Sequence, residues 1–342
     1  MNDMTQTSIS KPTGLRWGIL GTGIIADAFV KDLKLTGHNV AAVGSRSYES
    51  ASKFAATFDI AGVHSSYEAL VNDPDVDIIY VATPVTRHHA DTVLALEAGK
   101  HVLAEKPFMA NAVEAKEVVA LAAERELLLL EAMWTRWLPH IIEVRKLIDQ
   151  GVLGEVRAVL ADHTQKLPED PAYRLNSLEL GGGALLDLGV YPISLASEFL
   201  GVPESIDAKS TFSATGVDSE TGLILRYPGN KTATIFTALN ALGPNRAAIV
   251  GTKGRIEIDS VWYEPARFQV FDSEGTLLST FDQKVPGRGM QFQADEAERL
   301  VAAGATSSDI LTLAESVSIM ETLDSIREKV GLRFPTDRVA GA

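Results

Sequence analysis

Residues 17–26 read Trp-Gly-Ile-Leu-Gly-Thr-Gly-Ile-Ile-Ala, and this stretch decides the fold. An apolar run leads directly into a G-x-G-x-x-A turn, which is followed by a helical pattern. The first glycine of such a turn allows a tight bend, the second lets the backbone approach a pyrophosphate, and the small last residue lets the helix pack closely on the strand. The stretch therefore predicts a dinucleotide site formed by the turn residues Gly21, Thr22, Gly23, Ile24 and Ile25.

Short apolar runs alternate with amphipathic stretches over the residues that follow. Runs at 40–43, 78–82, 102–103 and 127–130 are too short for helices and have no polar face, so they predict buried strands. Helical patterns lie between them at 24–35, 48–58, 88–98 and 112–125. This alternation predicts an α/β fold whose N-terminal domain, residues 15–136, is a Rossmann doubly wound parallel sheet. Residues 1–14 are expected to form a disordered tail.

The second half of the chain, residues 137–342, has a different pattern. Seven stretches are rich in β-forming residues: 154–166, 205–213, 221–227, 232–240, 247–250, 255–258 and 267–271. Helical patterns occur at 139–150, 183–199, 292–303 and 311–330. These residues predict a C-terminal α+β domain with a large, mostly antiparallel sheet that binds substrate and forms a dimer interface, because an apolar sheet face must be covered.

Composition excludes several classes of protein. A net charge of −14 argues against nucleic-acid partners and anionic membrane surfaces. The chain has no cysteine, so it cannot form disulfides or thiolate metal sites. The most apolar stretch, 127–133, is too short to span a membrane and contains Glu131. We therefore expect a cytoplasmic protein.

The end of the second predicted strand indicates which dinucleotide binds. Cofactors without a 2′-phosphate usually meet an acidic side chain there, but this chain has Ser45-Arg46-Ser47. A guanidinium attracts a 2′-phosphate and hydroxyls can donate to it. Ser45 and Arg46 therefore predict NADP, with NAD also possible; the alternative is that Arg46 is simply a solvated loop residue.

Two further motifs carry reactive side chains. Glu105-Lys106-Pro107 ends a predicted strand at the carboxyl edge of the sheet, where doubly wound folds bind ligands. Asp187 and Tyr191 lie four residues apart after a glycine triplet, so a helix would place them on one face. A tyrosine can take the proton of a hydroxyl during oxidation if a cation favours its phenolate, and Lys106 could be that cation. A surface lysine, a solvated aspartate and a half-buried tyrosine are the structural alternatives.

Residues 133–137, Met-Trp-Thr-Arg-Trp, fall where the two domains should meet. Trp134 could form the wall of a sugar-sized pocket, and Arg136 could meet a phosphate or pair with a carboxylate. The adjacent His88 and His89 point in different directions on a helix and have no acidic cluster near them in sequence. We therefore predict no metal site.

Taken in order, Gly21-Thr22-Gly23, Glu105-Lys106-Pro107 and residues 182–191 resemble the Gfo/Idh/MocA oxidoreductase family. Residues 131–136 and 251–254 resemble the branch with dimeric dihydrodiol dehydrogenases and NADP-dependent D-xylose dehydrogenases. The resemblance implies Tyr191 as acid/base, with Lys106 and Asp187 assisting. It also implies a homodimer, or a dimer of dimers, formed through the C-terminal sheet.

The same resemblance implies two wider sets of contacts. The further cofactor contacts would be Thr83, Pro84, His88, Glu105, Lys106, Trp134 and Arg136. The substrate contacts would be Lys106, Trp134, Tyr173, Asp187 and Tyr191. Two departures stand out: relatives in the branch often have a second basic residue shortly after the first, where this chain has Ser47 and Ser50, and Pro84-Val85 replaces the more usual Pro-Asn.

These observations predict an NADP-dependent oxidoreductase that moves a hydride between the nicotinamide and a carbinol of a sugar, polyol or cyclic diol. One alternative is an aldos-2-ulose reductase that uses the same residues mainly to reduce a carbonyl. The other is a regulatory protein that senses the dinucleotide without catalysis.

Overall fold

The computed structural model describes residues 14–335 and residue 337. The predicted tail lies outside the described residues, apart from residue 14.

The first half of the described chain forms a six-stranded parallel sheet with the strand order β3-β2-β1-β4-β5-β6. Its strands are β1 (Arg16–Leu20), β2 (Asn39–Gly44), β3 (Gly62–His64), β4 (Ile78–Val81), β5 (His101–Glu105) and β6 (Leu129–Ala132). The connecting helices are α1 (Ile24–Thr36), α2 (Tyr48–Phe58), α3 (Tyr67–Val71), α4 (Val85–Glu97) and α5 (Ala112–Glu124). This order reverses direction at β1 and β4, as in a dinucleotide-binding sheet, and the predicted fold class is confirmed.

The sequence reading missed β3 and α3. β3 has three residues, all partly exposed, and therefore shows no apolar run. α3 has five residues and owes its start to Ser66, whose hydroxyl accepts a hydrogen bond from the amide of Ala69. Elements this short carry too few residues to show a period.

The second sheet has eight strands in the order β14-β13-β12-β11-β7-β10-β9-β8 within the described residues. Its strands are β7 (Val156–Thr164), β8 (Ser205–Phe212), β9 (Asp218–Tyr227), β10 (Lys231–Ala238), β11 (Ala247–Gly251), β12 (Gly254–Ile258), β13 (Phe268–Asp272) and β14 (Leu277–Phe281). Every neighbouring pair is antiparallel except β7 with β10. The predicted mostly antiparallel sheet is confirmed, and β14 is an additional edge strand.

Four more α-helices follow β6 in the described part of the chain: α6 (Pro139–Asp149), α7 (Val190–Leu200), α8 (Gln291–Ala302) and α9 (Leu313–Val330). A π-helical turn at Leu185–Gly189 leads into α7. The apolar helical stretch Leu178–Leu200 is long enough to cross a membrane by length and composition, but 78% of its most apolar window is buried inside the protein. The stretch is therefore core packing, with α7 lying against β7 and β10.

The opposite face of the second sheet carries exposed apolar side chains. Register places Leu160, Thr234 and Ile224 in one row across β7, β10 and β9, since directly paired residues share a face. Leu160, Ile224 and Phe236 are each about two-fifths exposed, at 45%, 39% and 43%. A three-strand apolar patch of this kind is a candidate interaction surface.

Candidate active site

Four predicted site segments follow strands of the parallel sheet: the glycine turn follows β1, Ser45 follows β2, Thr83 lies just after β4, and Lys106 follows β5. Parallel strands end at the same edge, so these segments surround one crevice. The structure therefore brings together side chains that are up to 85 residues apart in sequence.

Lys106 is the centre of the site. Its side chain is only 9% exposed, and its ammonium donates to the backbone oxygen of Asp187 at 2.8 Å. The same ammonium lies 3.4 Å from Oδ1 of Asp187 and 4.8 Å from the centre of the Tyr191 ring. Burial by itself lowers the pKa of Lys106, but the charges of Asp187, Tyr191 and Glu105 together outweigh it, so the net pKa is raised and the lysine is a fixed cation.

Tyr191 is buried and receives a hydrogen bond on its hydroxyl oxygen from the indole Nε1 of Trp134 at 3.1 Å. Because Trp134 donates to this oxygen, the hydrogen of the phenol is free to point elsewhere. Burial raises the pKa of Tyr191, and the opposing charge of Lys106 does not cancel that rise. The phenol is therefore neutral at physiological pH and is ready to give a proton.

Asp187 lies between Lys106 and the partly exposed Arg174. Its Oδ1 accepts a hydrogen bond from Arg174 at 3.0 Å as well as facing Lys106. Burial would raise the pKa of Asp187, but the two cations outweigh burial and lower it to about 2. Asp187 is thus a carboxylate whose charge faces the ammonium; its expected role in orienting the lysine or the substrate hydroxyl stays a prediction.

The π-helical turn carrying Asp187 is fixed from the sheet side by Asp218. Oδ2 of Asp218 accepts from the amide of Leu185 at 2.8 Å and from the hydroxyl of Thr221 at 2.9 Å. Gly183 has φ +122°, and a Cβ there would collide with Oδ1 of Asp218. The glycine triplet therefore serves close packing of this turn, which sets the positions of Asp187 and Tyr191.

Two aromatic residues complete the surroundings of the phenol. The ring of His163 stands edge-on to Tyr191 at 4.9 Å and is stacked on Tyr263 at 3.6 Å. Burial lowers the pKa of His163 to about 3, so the ring is neutral. The sequence did not single out His163, Tyr263 and Arg174 as site residues. They are close to Asp187 and Tyr191 only in the folded structure.

Several predicted contacts have a supporting role in the structure. Glu105 is buried and accepts hydrogen bonds from the Tyr80 hydroxyl and from the amide of Lys106. His88 is buried with its ring nitrogens 3.0 Å and 2.9 Å from the backbone oxygens of Pro107 and Thr83. His88 thereby joins the loops after β4 and β5, and Glu105 connects Tyr80 of β4 to the start of the loop that carries Lys106. The cofactor contacts expected of both residues stay predictions.

Arg136, also predicted as a cofactor contact, makes its observed contacts within the protein. Its guanidinium is buried and pairs with Glu315 at 2.6 Å, while also donating to the hydroxyl and backbone oxygens of Ser194. The structure thus shows the carboxylate pairing that the sequence left open. Tyr173, predicted to contact substrate, packs beside the small cluster of Leu175 and Leu188 and is partly buried.

The glycine turn fits a dinucleotide pyrophosphate. Gly21 has φ +109°, and a Cβ there would lie 3.0 Å from the backbone oxygen of Ala82, so only glycine can make this bend. Gly23 is the N-cap of α1, where no side chain caps the helix, and nothing lies within 4 Å of the position that its Cβ would take. Ile24 is 84% exposed. The first amides of α1 therefore face open space, as anion binding at a helix N-terminus requires.

Thr22 and Gly23 also border a groove of about 410 Å³ that extends between α1 and α2. Within the described part of the chain, no group of three or more histidine, aspartate or glutamate side chains is arranged to hold a metal ion.

Comparison with known proteins agrees with this geometry. Residues 15–132 match the family described as an oxidoreductase family with an NAD-binding Rossmann fold, and residues 141–257 match the GFO/IDH/MocA C-terminal domain. The chain therefore belongs to the GFO/IDH/MocA oxidoreductase family, and the predicted resemblance is confirmed.

Among curated relatives, trans-1,2-dihydrobenzene-1,2-diol dehydrogenase of Xenopus tropicalis is 35% identical over 94% of this chain and 99% of its own length. The mouse protein of the same name, from Mus musculus, is 34% identical over 95% and 99%. Among solved structures, a 3-ketoreductase from Actinomadura kijaniata in complex with NADP and TDP-benzene is 27% identical, with a TM-score of 0.82 and coverage of 93% and 98%. An aldose-aldose oxidoreductase from Caulobacter crescentus complexed with glycerol is also 27% identical, with a TM-score of 0.83 and coverage of 92% and 96%.

Proposed function

We propose that this protein is an NADP-dependent dehydrogenase that oxidises a hydroxyl-bearing carbon of a cyclic diol, sugar or polyol. The observation that carries the proposal is the cluster of Lys106, Asp187 and Tyr191, in which a fixed ammonium lies over the ring of a buried phenol beside a dinucleotide crevice. Relatives named as diol dehydrogenases, together with a ketoreductase solved with NADP, support the substrate class and the cofactor.

Bound NADP⁺ supplies the acceptor for the hydride that leaves the carbinol carbon, and NADPH supplies the donor for the reverse reaction. Tyr191 exchanges the proton. In oxidation, the substrate hydroxyl gives its proton to the phenolate oxygen of Tyr191 as the carbonyl forms; in reduction, the phenol returns that proton to the carbonyl oxygen.

Lys106 makes this exchange feasible by stabilising the phenolate. Its ammonium opposes the effect of burial on the pKa of Tyr191, and it is also placed to attract negative charge that develops on the substrate oxygen. Asp187 acts as a positioning residue, because it anchors the ammonium through its backbone and carboxylate oxygens. Trp134 fixes the phenol from the other side.

A second candidate function, reduction of an aldos-2-ulose or a related carbonyl, uses the same residues. It is favoured by the raised pKa of Tyr191, because a neutral phenol already carries the proton that reduction requires. Initial rates in both directions at one pH distinguish the two functions.

The test is NADPH formation by the purified protein with trans-cyclic diols, pentoses, hexoses, anhydrosugars and inositols. We expect turnover on at least one class, and its loss in the Tyr191→Phe variant. If the protein binds NADP(H) tightly but neither oxidises any of these compounds nor reduces the matching carbonyl compounds, it is a dinucleotide sensor and the proposal is wrong.

The exposed patch of Leu160, Ile224 and Phe236 is the proposed interface of a homodimer, which can pair again into a dimer of dimers. An apolar sheet face on three adjacent strands supports this, since pairing removes it from water. The absence of cysteine and the acidic charge of the chain make the cytoplasm the proposed compartment.

A further inference from the structure

Two arginines that follow different strands of the parallel sheet both lie near Tyr67. The guanidinium carbon of Arg87, in the first turn of α4, lies 5.9 Å from the centre of the Tyr67 ring. Arg46, two residues after β2, is exposed, and its charge acts on the same tyrosine, where it opposes the rise in pKa that burial of Tyr67 causes. Tyr67 itself is buried at the start of α3. The phenol therefore links the loop after β2 to the helix after β4.

These two strands flank β1, and the glycine turn follows β1. Arg46 and Arg87 therefore lie at the carboxyl edge of the sheet on either side of the dinucleotide turn. The half of the crevice near the end of β2 is where the adenosine ribose of a dinucleotide lies in this kind of sheet. Arg46 borders this half directly, and the contact of Arg87 with the Tyr67 ring brings the second guanidinium towards the same half.

The position of Arg87 is fixed by Asp91, one helical turn further along α4. The carboxylate of Asp91 is buried and pairs with Arg87 at 2.5 Å, and it also accepts from the hydroxyl of Thr83 at 2.8 Å. The Arg87 side chain nevertheless remains 46% exposed. Its guanidinium has five N–H donors and uses only some of them on Asp91, so the others are available to a ligand.

The exposed donors at this edge suit a phosphate. Arg46 and Arg87 both present guanidinium groups there; the carboxylate of Asp91 is buried against Arg87, and the exposed Glu68 also acts on Arg87. A phosphate monoester carries about −1.5 to −2 at pH 7 and can accept from both guanidinium groups. The serines after Arg46 cannot supply the second cation. Ser47 is also engaged as the N-cap of α2, where its hydroxyl accepts from the amide of Ser50 at 3.3 Å.

We propose that Arg87 is the second cation that binds the 2′-phosphate of NADP, acting together with Arg46 across the Tyr67 hydroxyl. The inference rests on the NADP part of the proposed function and is independent of which carbinol is oxidised. Arg87 takes the place of the second basic residue that relatives often have shortly after Arg46. It reaches the same phosphate from α4.

The experiment measures binding by calorimetry with two fragments, adenosine 2′,5′-bisphosphate and 5′-AMP, which differ only in the 2′-phosphate. In Arg87→Gln we expect affinity for the bisphosphate to fall about 10- to 100-fold, as for one lost charge-assisted contact, while affinity for 5′-AMP stays within about threefold. Asp91→Asn removes the ion pair but keeps the cation, so we expect it to retain the preference for the bisphosphate. Arg125→Gln, an exposed arginine at the end of α5, is the matched control.

Three outcomes overturn the inference. Equal losses for both fragments in Arg87→Gln would mean that Arg87 supports the loop or contacts the adenine. An unchanged bisphosphate affinity would leave Arg46 as the sole cation. Loss of the preference in Asp91→Asn to the same degree would trace the effect to the ion pair rather than the cation. Each can occur while the protein still oxidises a diol, so failure here is distinct from failure of the proposed function.

Discussion

The ammonium of Lys106 lies 4.8 Å from the centre of the Tyr191 ring, although 85 residues separate the two in sequence. Lys106 follows a strand of the first sheet, whereas Tyr191 is in the helix that packs on the second sheet. The contact therefore joins the dinucleotide crevice to the second half of the protein. A phenol in this position can exchange a proton with a substrate held between the two halves.

Replacing Tyr191 by phenylalanine removes the proton-exchanging group and the oxygen that accepts from Trp134, while the ring still packs against His163. We expect kcat to fall about 10²- to 10⁴-fold, the usual range for loss of a general acid or base. NADP affinity, measured by calorimetry, should stay within about threefold. Tyr227→Phe, a buried tyrosine of β9 outside the site, is the control. Near-normal turnover by Tyr191→Phe would rule out the assigned role.

The pH dependence of the two directions should differ. Because the pKa of Tyr191 is raised above its ordinary value of about 10, the phenol stays protonated through neutral pH. Oxidation needs the phenolate, so kcat/KM for oxidation should rise about tenfold per pH unit up to at least pH 9, whereas carbonyl reduction should stay flat from pH 6 to 9. Initial rates over this range check both. A plateau in oxidation near pH 7 would contradict the raised pKa.

Asp187 and Arg174 provide a pair of changes with unequal effects. Asp187→Asn removes the charge that anchors Lys106, and we expect kcat to fall about 10- to 100-fold with little change in NADP affinity. Arg174→Gln should lower kcat by less than about threefold, because its side chain is 54% exposed and Asp187 keeps its contact with Lys106. Steady-state kinetics of both variants decide the point; equal losses would mean that Arg174 contacts substrate directly.

Local patterns in the sequence predicted the parts of the site that depend on backbone form. Gly21 allows the tight bend, and Gly23 lets a pyrophosphate approach the backbone. The apolar residues of β5 predict the strand that Lys106 follows. The four-residue spacing of Asp187 and Tyr191 placed them together. In contrast, His163 belongs to a strand of alternating burial, and nothing near it in sequence shows that its ring meets Tyr191.

The ion-pair partners of Arg136 likewise could not be predicted from local sequence. An arginine after a buried strand at a domain seam can bind a phosphate or a carboxylate, and its own neighbours do not decide between them. The decision comes from Glu315 and Ser194, which lie 179 and 58 residues away. Contacts of such long range depend on how helices α7 and α9 pack, which periodicity alone does not fix.

Glu131, in β6, gives a prediction about stability. It is buried, and burial raises its pKa from the ordinary 4.5 to about 7. Between these values the unfolded chain releases its proton while the folded protein keeps it, so wild-type stability falls as pH rises from about 4.5 to 7. Glu131→Gln has no such loss. Its stability relative to wild type should improve by about 1–3 kcal/mol between pH 5 and pH 8, as measured by urea denaturation. A pH-independent difference would mean that Glu131 is ionised in the folded state.

The proposed dimer depends on the open face of the second sheet. Leu160 lies on β7, at one end of its apolar patch, where Ala248 of β11 and Thr234 of β10 are its direct neighbours. A charge there would be buried without a partner on pairing, so Leu160→Glu should shift the protein towards monomer in light scattering at micromolar concentration. Leu35→Glu is the control, because Leu35 is 64% exposed at the end of α1, in the other half of the protein. If Leu160→Glu leaves the measured mass unchanged, or the wild type is already monomeric, the interface lies elsewhere or does not form.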